Sequence, residues 1–418
     1  MKLQKLWTYD FTVITIGSLI SMVGSSMAGF SISLLVLDYT GSTFLYMLFN
    51  VCYQLPLLFM PLIAGPYLDR MSRKKVIYWL DFLSAGLFFL MFLVLRAGWF
   101  SYLFLLASNT FYGAINSVYA VAYDSFYPNL ITEGNSQRAY AVSSMLWPLA
   151  SIMMPVAAAV YEALGSAVPI FAANAACFFL AACFERTIRC RETHMASAPP
   201  PDSAGKLRQY ARDFREGLAY IRGEKGLLCI ALYFTALNLC SGADNLILPF
   251  FRSHPQRFAA WPVAAVTLYA IVSNFEVAGR LVGGMVQYKV RIPPERKFLA
   301  ALAAYAAIDA IGSLRLFLPI PLMAAAFFVQ GMLGVTSYTI RTTATQAYVP
   351  DTMRARFNGA FQMMTSLGTV AGSLLVGALA EVFPERAVIV GIYAVVLLSV
   401  YLFIYRGRAH VADVYNRE

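Results

Sequence analysis

Residues 65–75 read Gly65-Pro66-Tyr67-Leu68-Asp69-Arg70-Met71-Ser72-Arg73-Lys74-Lys75. Four basic side chains and one acid are gathered between two long apolar runs, 43–66 and 77–96. Crossing a bilayer takes about 20 mostly apolar residues, and each run is that long. Charge gathered in the short connection reads as a basic turn joining two membrane helices.

The same pattern continues in both directions. The chain has 418 residues, 59% hydrophobic and only 13% charged, with a mean hydropathy of +0.63. Soluble chains are about 45–50% apolar and about 25% charged. A soluble chain of this length would form two or three domains with a polar surface that this composition cannot supply. A cytosolic enzyme, a secreted disulfide scaffold and a disordered chain are thereby excluded. The apolar runs are too long and unbroken for a β-barrel. They fall at 11–37, 43–66, 77–96, 99–124, 140–163 and 167–184, and then at 226–251, 262–288, 298–317, 320–346, 358–382 and 386–405.

The expected fold is an all-α membrane protein of twelve transmembrane helices, two six-helix bundles with pseudo-two-fold symmetry. Residues 1–184 form the first bundle. A cytoplasmic linker with an amphipathic helix occupies 185–225. The second bundle and a short cytoplasmic tail occupy 226–418. The stretch after the basic Met1–Trp7 is too long for a signal-peptide core and is expected to remain as the first span.

The formal net charge is +10. On this map 25 of the 32 basic residues fall on the side of the termini. Five fall on the other (Arg96, Arg252, Arg257, Arg315 and Arg386), and Arg280 and Arg341 lie inside spans. That bias places both termini in the cytoplasm of a multi-pass protein of the cell (inner) membrane. It also explains the net charge without a nucleic-acid partner. The linker carries Pro199, Pro200 and Pro201, then an apolar helical face of Leu207, Tyr210, Phe214, Leu218 and Ile221. Such a helix either lies on the inner membrane surface or packs on the bundle.

The six cysteines form no CxxC pair, and His194, His254 and His410 are scattered. No metal or cofactor is expected. Walker, GxGD and HExxH motifs are absent, so neither ATP-driven transport nor intramembrane enzymology is indicated. No pore-loop signature suggests a channel. The halves resemble each other weakly. Tyr127-Pro128-Asn129 precedes the fifth span as Val349-Pro350-Asp351 precedes the eleventh. Parallel six-span repeats with a site between them are a transporter architecture.

The loop at 65–75 resembles the signature loop between spans two and three of the major facilitator superfamily, and the six-plus-six layout extends that resemblance over nearly the whole chain. Finer features are similar to the branch of macrolide-efflux proteins and the enterobactin exporter. These are Gly24-Ser25-Ser26, Asp81, Pro128-Asn129-Leu130 and Phe214-Arg215-Glu216-Gly217-Leu218. Three places depart from the pattern. Tyr288 stands where the second copy of the loop would carry its acid, the fourth span (99–124) lacks the arginine often found there, and the fifth span keeps Pro155 but not the glycines of exporters.

The loop residues Gly65, Asp69, Arg70, Arg73 and Lys74, with Asp81 in support, are expected to form a cytoplasmic latch between the halves. The bland alternative is a basic anchor for a short inner loop. Asn109, Tyr112, Asn116, Tyr119 and Tyr123 recur at helical spacing on the fourth span. Amides and phenols are costly in lipid, so this face turns inward, as a substrate-cavity wall or as polar contact between helices. Ser18, Ser25, Asn238, Tyr269, Ser273, Gln330 and Ser337 complete the expected cavity. Ionisable groups at membrane depth are expensive and default to functional candidates. Glu276, Asp309 and Asp244 are the proton-coupling candidates, with Arg280 and Arg341 as partners. A structural Glu276–Arg280 ion pair competes with that role.

The resemblance implies a secondary active transporter and no enzyme. It would be a monomer in the lipid bilayer that couples protons to export of an amphipathic small molecule, drug- or siderophore-like, by alternating access. An importer or facilitator of a polar metabolite, or a lipid or lysolipid transporter, stays open on the same fold.

Overall fold

Two local devices delimit the first helix, α1 (Tyr9–Thr40). Thr8 Oγ1 accepts from the Phe11 amide at 3.2 Å, supplying a partner for an orphan donor of the first turn. Gly41, at φ +62°, turns the chain left-handed and sends its N–H to Leu37 O. A residue without Cβ takes that conformation at no steric cost. The computed structural model describes residues 5–68, 71–99, 101–132, 135–190, 192, 203–289 and 292–416.

After α1 come α2 (Thr43–Leu68), α3 (Arg73–Arg96), α4 (Tyr102–Phe126), α5 (Ser136–Ser151), α6 (Met154–Leu164) and α7 (Val168–Arg186). Then follow α8 (Ser203–Gly223), α9 (Lys225–Leu237), α10 (Cys240–Asn245), α11 (Ile247–Ser253) and α12 (Ala265–Lys289). The chain ends with α13 (Pro294–Leu314), α14 (Ile320–Tyr348), α15 (Asp351–Ala380), α16 (Glu385–Ser399) and α17 (Arg408–Tyr415). No strand occurs among the described residues. The protein is an all-α membrane protein. Eleven helical stretches among the described residues are long and apolar enough to cross a bilayer. The expected fourth span, α4, is 25 residues long but is not one of the eleven. The polar stripe from Asn109 to Tyr123 dilutes its hydropathy.

Two of the spans are interrupted. The fifth breaks between α5 and α6, where Pro155 lacks the N–H that would bond Ser151 O. The seventh is divided into α9, α10 and α11. Pro249 removes the amide that would bond Asn245 O. Near the other break, Asn238 Nδ2 donates to Phe234 O at 2.7 Å, so a side chain competes with the helix ladder.

The chain divides into two compact units. Unit 1 is Met1–Gly41 with Phe49–Leu207; unit 2 is Ser42–Leu48 with Arg208–Glu418. In unit 1, α7 packs against both α1 and α3. Phe11, Ile14, Ile77, Phe126 and Tyr127 form an apolar core at the end that carries the N-terminus. In unit 2, α12 and α14 meet backbone to backbone. A Cβ on Gly279 would lie 1.9 Å from Phe328 O, and one on Gly331 would lie 2.1 Å from Glu276 O. Small residues permit this approach in a membrane, where apolar burial alone does not drive helix association.

The linker helix α8 has a packed face near its C-terminal end. Ile221 is fully buried, and a Cβ on Gly217 would lie 2.3 Å from Arg356 O. Glu216 pairs with Arg356 at 3.0 Å. The proline stretch at 199–201 lies outside the described residues.

Arg315, counted among the five basic residues of the outer side, is fully buried. It follows α13 directly, in a short 3-10 turn, Arg315–Phe317. A charge near a span end is ordinarily wet, but here a carboxylate and an amide from distant helices satisfy it.

Candidate functional site

The polar centre of unit 2 is built around Arg315. Its Nη2 donates to Asp244 Oδ1 on α10 and its Nη1 to Gln330 Oε1 on α14 at 2.9 Å. Tyr393 of α16 donates its hydroxyl to the same Asp244 oxygen at 2.6 Å, and Arg315 Nη2 lies 3.3 Å from that hydroxyl. The guanidinium sits 4.7 Å over the Phe327 ring. Four helical segments thus converge on one buried cation. Asp244 keeps 44% of its side chain exposed, so the pair has a dry end and an open end. Such a pair holds its charge inside the bundle only because both partners are present.

Asp309, on α13, is 1% exposed, and neither of its carboxyl oxygens has a hydrogen-bond partner. The nearby Tyr233 hydroxyl is likewise buried and unbonded. A carboxylate in that position would carry the full desolvation penalty of an unpaired charge.

The other ionisable candidates have local partners. Arg280 Nη2 donates to Glu276 Oε1 at 2.6 Å, within one helix, and 61% of the Arg280 side chain is exposed. Arg341 rests on the Phe361 ring at 4.7 Å and the Phe234 ring at 5.0 Å. Neither arginine forms an ion pair with Asp309 in the structure. Asn238 Oδ1 accepts from Thr369 Oγ1 at 3.2 Å. Ser273 bonds its own helix at Ala270 O, and the Tyr269 ring packs on Phe251. Ser337 is buried near Tyr305.

In unit 1 the α4 stripe is largely engaged by neighbouring helices. Asn109 Nδ2 donates to Phe49 O at 2.9 Å, and Asn116 Nδ2 donates to the Tyr53 hydroxyl at 2.9 Å. Tyr112 and Ser25 share a hydrogen bond of 2.9 Å between α4 and α1. Tyr119 donates to Glu185 Oε1 at 3.2 Å. Ser18 is fully buried beside the Tyr119 and Tyr123 hydroxyls.

Of the expected latch, Asp69 and Arg70 lie outside the described residues, and Gly65 falls within α2. Arg73 Nη1 donates to Ser125 O and Lys74 Nζ to Ile188 O, both at 3.0 Å. Each therefore ties the start of α3 to another helix end of unit 1. Asp81 lies deeper, 2% exposed.

The sequence model of transmembrane secretion effectors, within the major facilitator superfamily, matches residues 3–416. The chain belongs to this family.

Among its relatives is an MFS-type transporter, YkuC, of Bacillus subtilis (strain 168), 24% identical over 294 residues. That match spans 68% of this chain and 66% of YkuC. The fold is similar to that of the nucleoside transporter NupG, with a TM-score of 0.69 at 13% identity, covering 96% of this chain and 98% of that one. It is also similar to a bacterial homologue of the iron transporter ferroportin, crystallised in an inward-facing state. There the TM-score is 0.70 at 13% identity, covering 98% of this chain and 100% of that one. These likenesses show the fold, and membership of the family makes the protein a membrane transporter rather than an enzyme.

Three residues of this secretion-effector chain escape a reading of the sequence. Tyr393 carries no local signal, because one tyrosine in an apolar run is ordinary. Arg315 reads as one more basic residue of the outer side. Glu185 falls one residue past the expected end of the sixth span, yet it is fully buried. An acid at that edge, helically continuous with the span, was the signal available.

Proposed function

We propose that the chain is a proton-coupled exporter of an amphipathic small organic molecule, working by alternating access in the cell membrane. Asp309 is the observation that carries this reading. A carboxyl group fully enclosed at span depth, without a cation or a hydrogen-bond donor, is a group poised to hold a proton. Beside it, the half-exposed Asp244 is balanced against buried Arg315 and offers a place where a proton or a cationic substrate competes for the carboxylate.

Export agrees with the likeness to efflux proteins in Gly24-Ser25-Ser26 and in Pro128-Asn129-Leu130. The charge bias supports cytoplasmic termini. The division at residues 184 and 225 belongs to the same proposal, with substrate-contacting residues on α1 and α4 in unit 1 and on α12 and α14 in unit 2.

The test is flux in proteoliposomes under an imposed pH gradient, with macrolides, siderophores and lysolipids as the panel. Uphill movement of at least one class, abolished by a protonophore, is expected. Flux indifferent to the gradient across the panel rejects proton coupling.

A further inference from the structure

Unit 1 holds a second pair of acids for which the proposed function has so far had no use. Asp81 on α3 and Glu185 at the end of α7 are both buried where these two helices pack against each other. Two ionised carboxylates brought together in a buried place present acceptors only and repel, whereas one proton held between them relieves both penalties. Tyr119 donates to Glu185 Oε1 at 3.2 Å. The outer oxygens, Asp81 Oδ2 and Glu185 Oε2, have no partner. Gly17 of α1 closes the site, since a Cβ there would lie 3.3 Å from Glu185 Oε1.

A separate feature points into the same place. Ser18 Oγ, fully buried on α1, lies beside the Tyr119 and Tyr123 hydroxyls but makes no hydrogen bond of normal geometry. Buried hydroxyls ordinarily have a hydrogen-bond partner, so Ser18 leaves a donor to spare next to Tyr119.

Among the described residues no cation offsets the pair. Neither α1 nor α4 contains a Lys or Arg. On α3, Arg73 and Lys74 are bonded to Ser125 O and Ile188 O two turns before Asp81, and Lys75 is exposed. Arg186 follows Glu185 but is exposed. The titratable groups facing the acids are Tyr112, Tyr119 and Tyr123, all from α4. Tyrosine hydroxyls donate hydrogen bonds without neutralising a carboxylate, so only a proton lowers the charge.

We propose that Asp81 and Glu185 form a proton-binding site in unit 1, holding one proton between them with Tyr119 fixing the acceptor. Resting on the proton-driven function above, this is a proton the transporter exchanges. The site lies in the opposite unit from Asp309 and Asp244, so the chain carries a carboxyl proton site in each unit.

Infrared spectroscopy of the purified full chain, from mildly acidic to mildly alkaline pH, reads the site directly. The expected result is a protonated-carboxyl C=O band in the wild type that Asp81→Asn and Glu185→Gln each abolish, with no further loss in the double variant. Spectra of both variants superimposable on the wild type overturn the site, and a different band lost in each overturns the shared proton. In proteoliposomes, Glu185→Gln is expected to lose gradient-driven uphill flux while keeping downhill counterflow; retained uphill flux overturns the exchange role. If Glu185→Gln fails to insert, Asp81→Asn carries both arms. Wild-type flux without gradient dependence defeats the proton-driven function and the exchange role together, while the infrared band decides separately whether the proton site exists.

Discussion

Arg315 Nη2 donates to Asp244 Oδ1 across 71 residues of sequence, joining a wholly buried cation to a carboxylate that is 44% exposed. The pair is asymmetric. Water reaches the acid and not the base, so anything that neutralises Asp244 strands a charge inside the protein.

That asymmetry gives an ordering of variants. Removing one partner of a buried pair typically costs about 3–5 kcal/mol, because the other charge is left uncompensated. Asp244→Ala is therefore expected to lower thermal stability in detergent more than the double variant Asp244→Ala with Arg315→Met. A double variant as unstable as the sum of its parts contradicts a pair of this kind.

Asp309 makes a different prediction. Asn is nearly isosteric with the protonated acid, so Asp309→Asn is expected to insert and unfold much like the wild type. Gradient-driven uphill flux should fall at least tenfold. Unchanged uphill flux transfers unit 2's coupling role to Asp244.

Gly312 stands against the ring of Tyr393, where a Cβ would come within 2.2 Å of Cε1. In Gly312→Ala the ring has to move, and its hydroxyl leaves Asp244 and Arg315. Overpacking of this kind costs about 1–3 kcal/mol. A melting curve measures the loss, and pairing the change with Tyr393→Phe should cost less than additively.

Glu381 ties pH to local order in unit 2. Its carboxylate accepts from Ser42 Oγ at 2.6 Å and from the Phe44 amide at 2.8 Å. These donors hold the carboxyl below its ordinary range, the Ser42 hydroxyl most strongly. The ionised form is the one bound, so its contribution is complete above the ordinary carboxylate range and fades as pH falls through the lowered value. The protection factor of the Phe44 amide in hydrogen exchange should drop on acidification, and Glu381→Gln should remove that dependence.

Much of the fold was legible because a bilayer makes hydropathy a near-sufficient signal. Runs such as 11–37 and 386–405 correspond to α1 and α16 with little shift. The fourth span was found from its length despite its polar stripe. Asn109 and Asn116 were expected to face inward, and both are bonded to α2. Sequence spacing defines a face; it does not say which neighbour consumes its hydrogen bonds.

The sequence by itself determined an all-helical membrane transporter, its spans and the family to which its signature loop belongs. These follow from apolar run length and local motif, which need no knowledge of distant contacts. Only the tertiary structure decided which charges are buried and with whom. Arg315 reads as a charge at the outer end of a span until Asp244, Gln330 and Tyr393 surround it. Asp81 and Glu185, 104 positions apart, become one site only when α3 and α7 pack together. Ionisation in a low-dielectric interior depends on the partner within a few ångströms, and the order of residues along a chain does not record it.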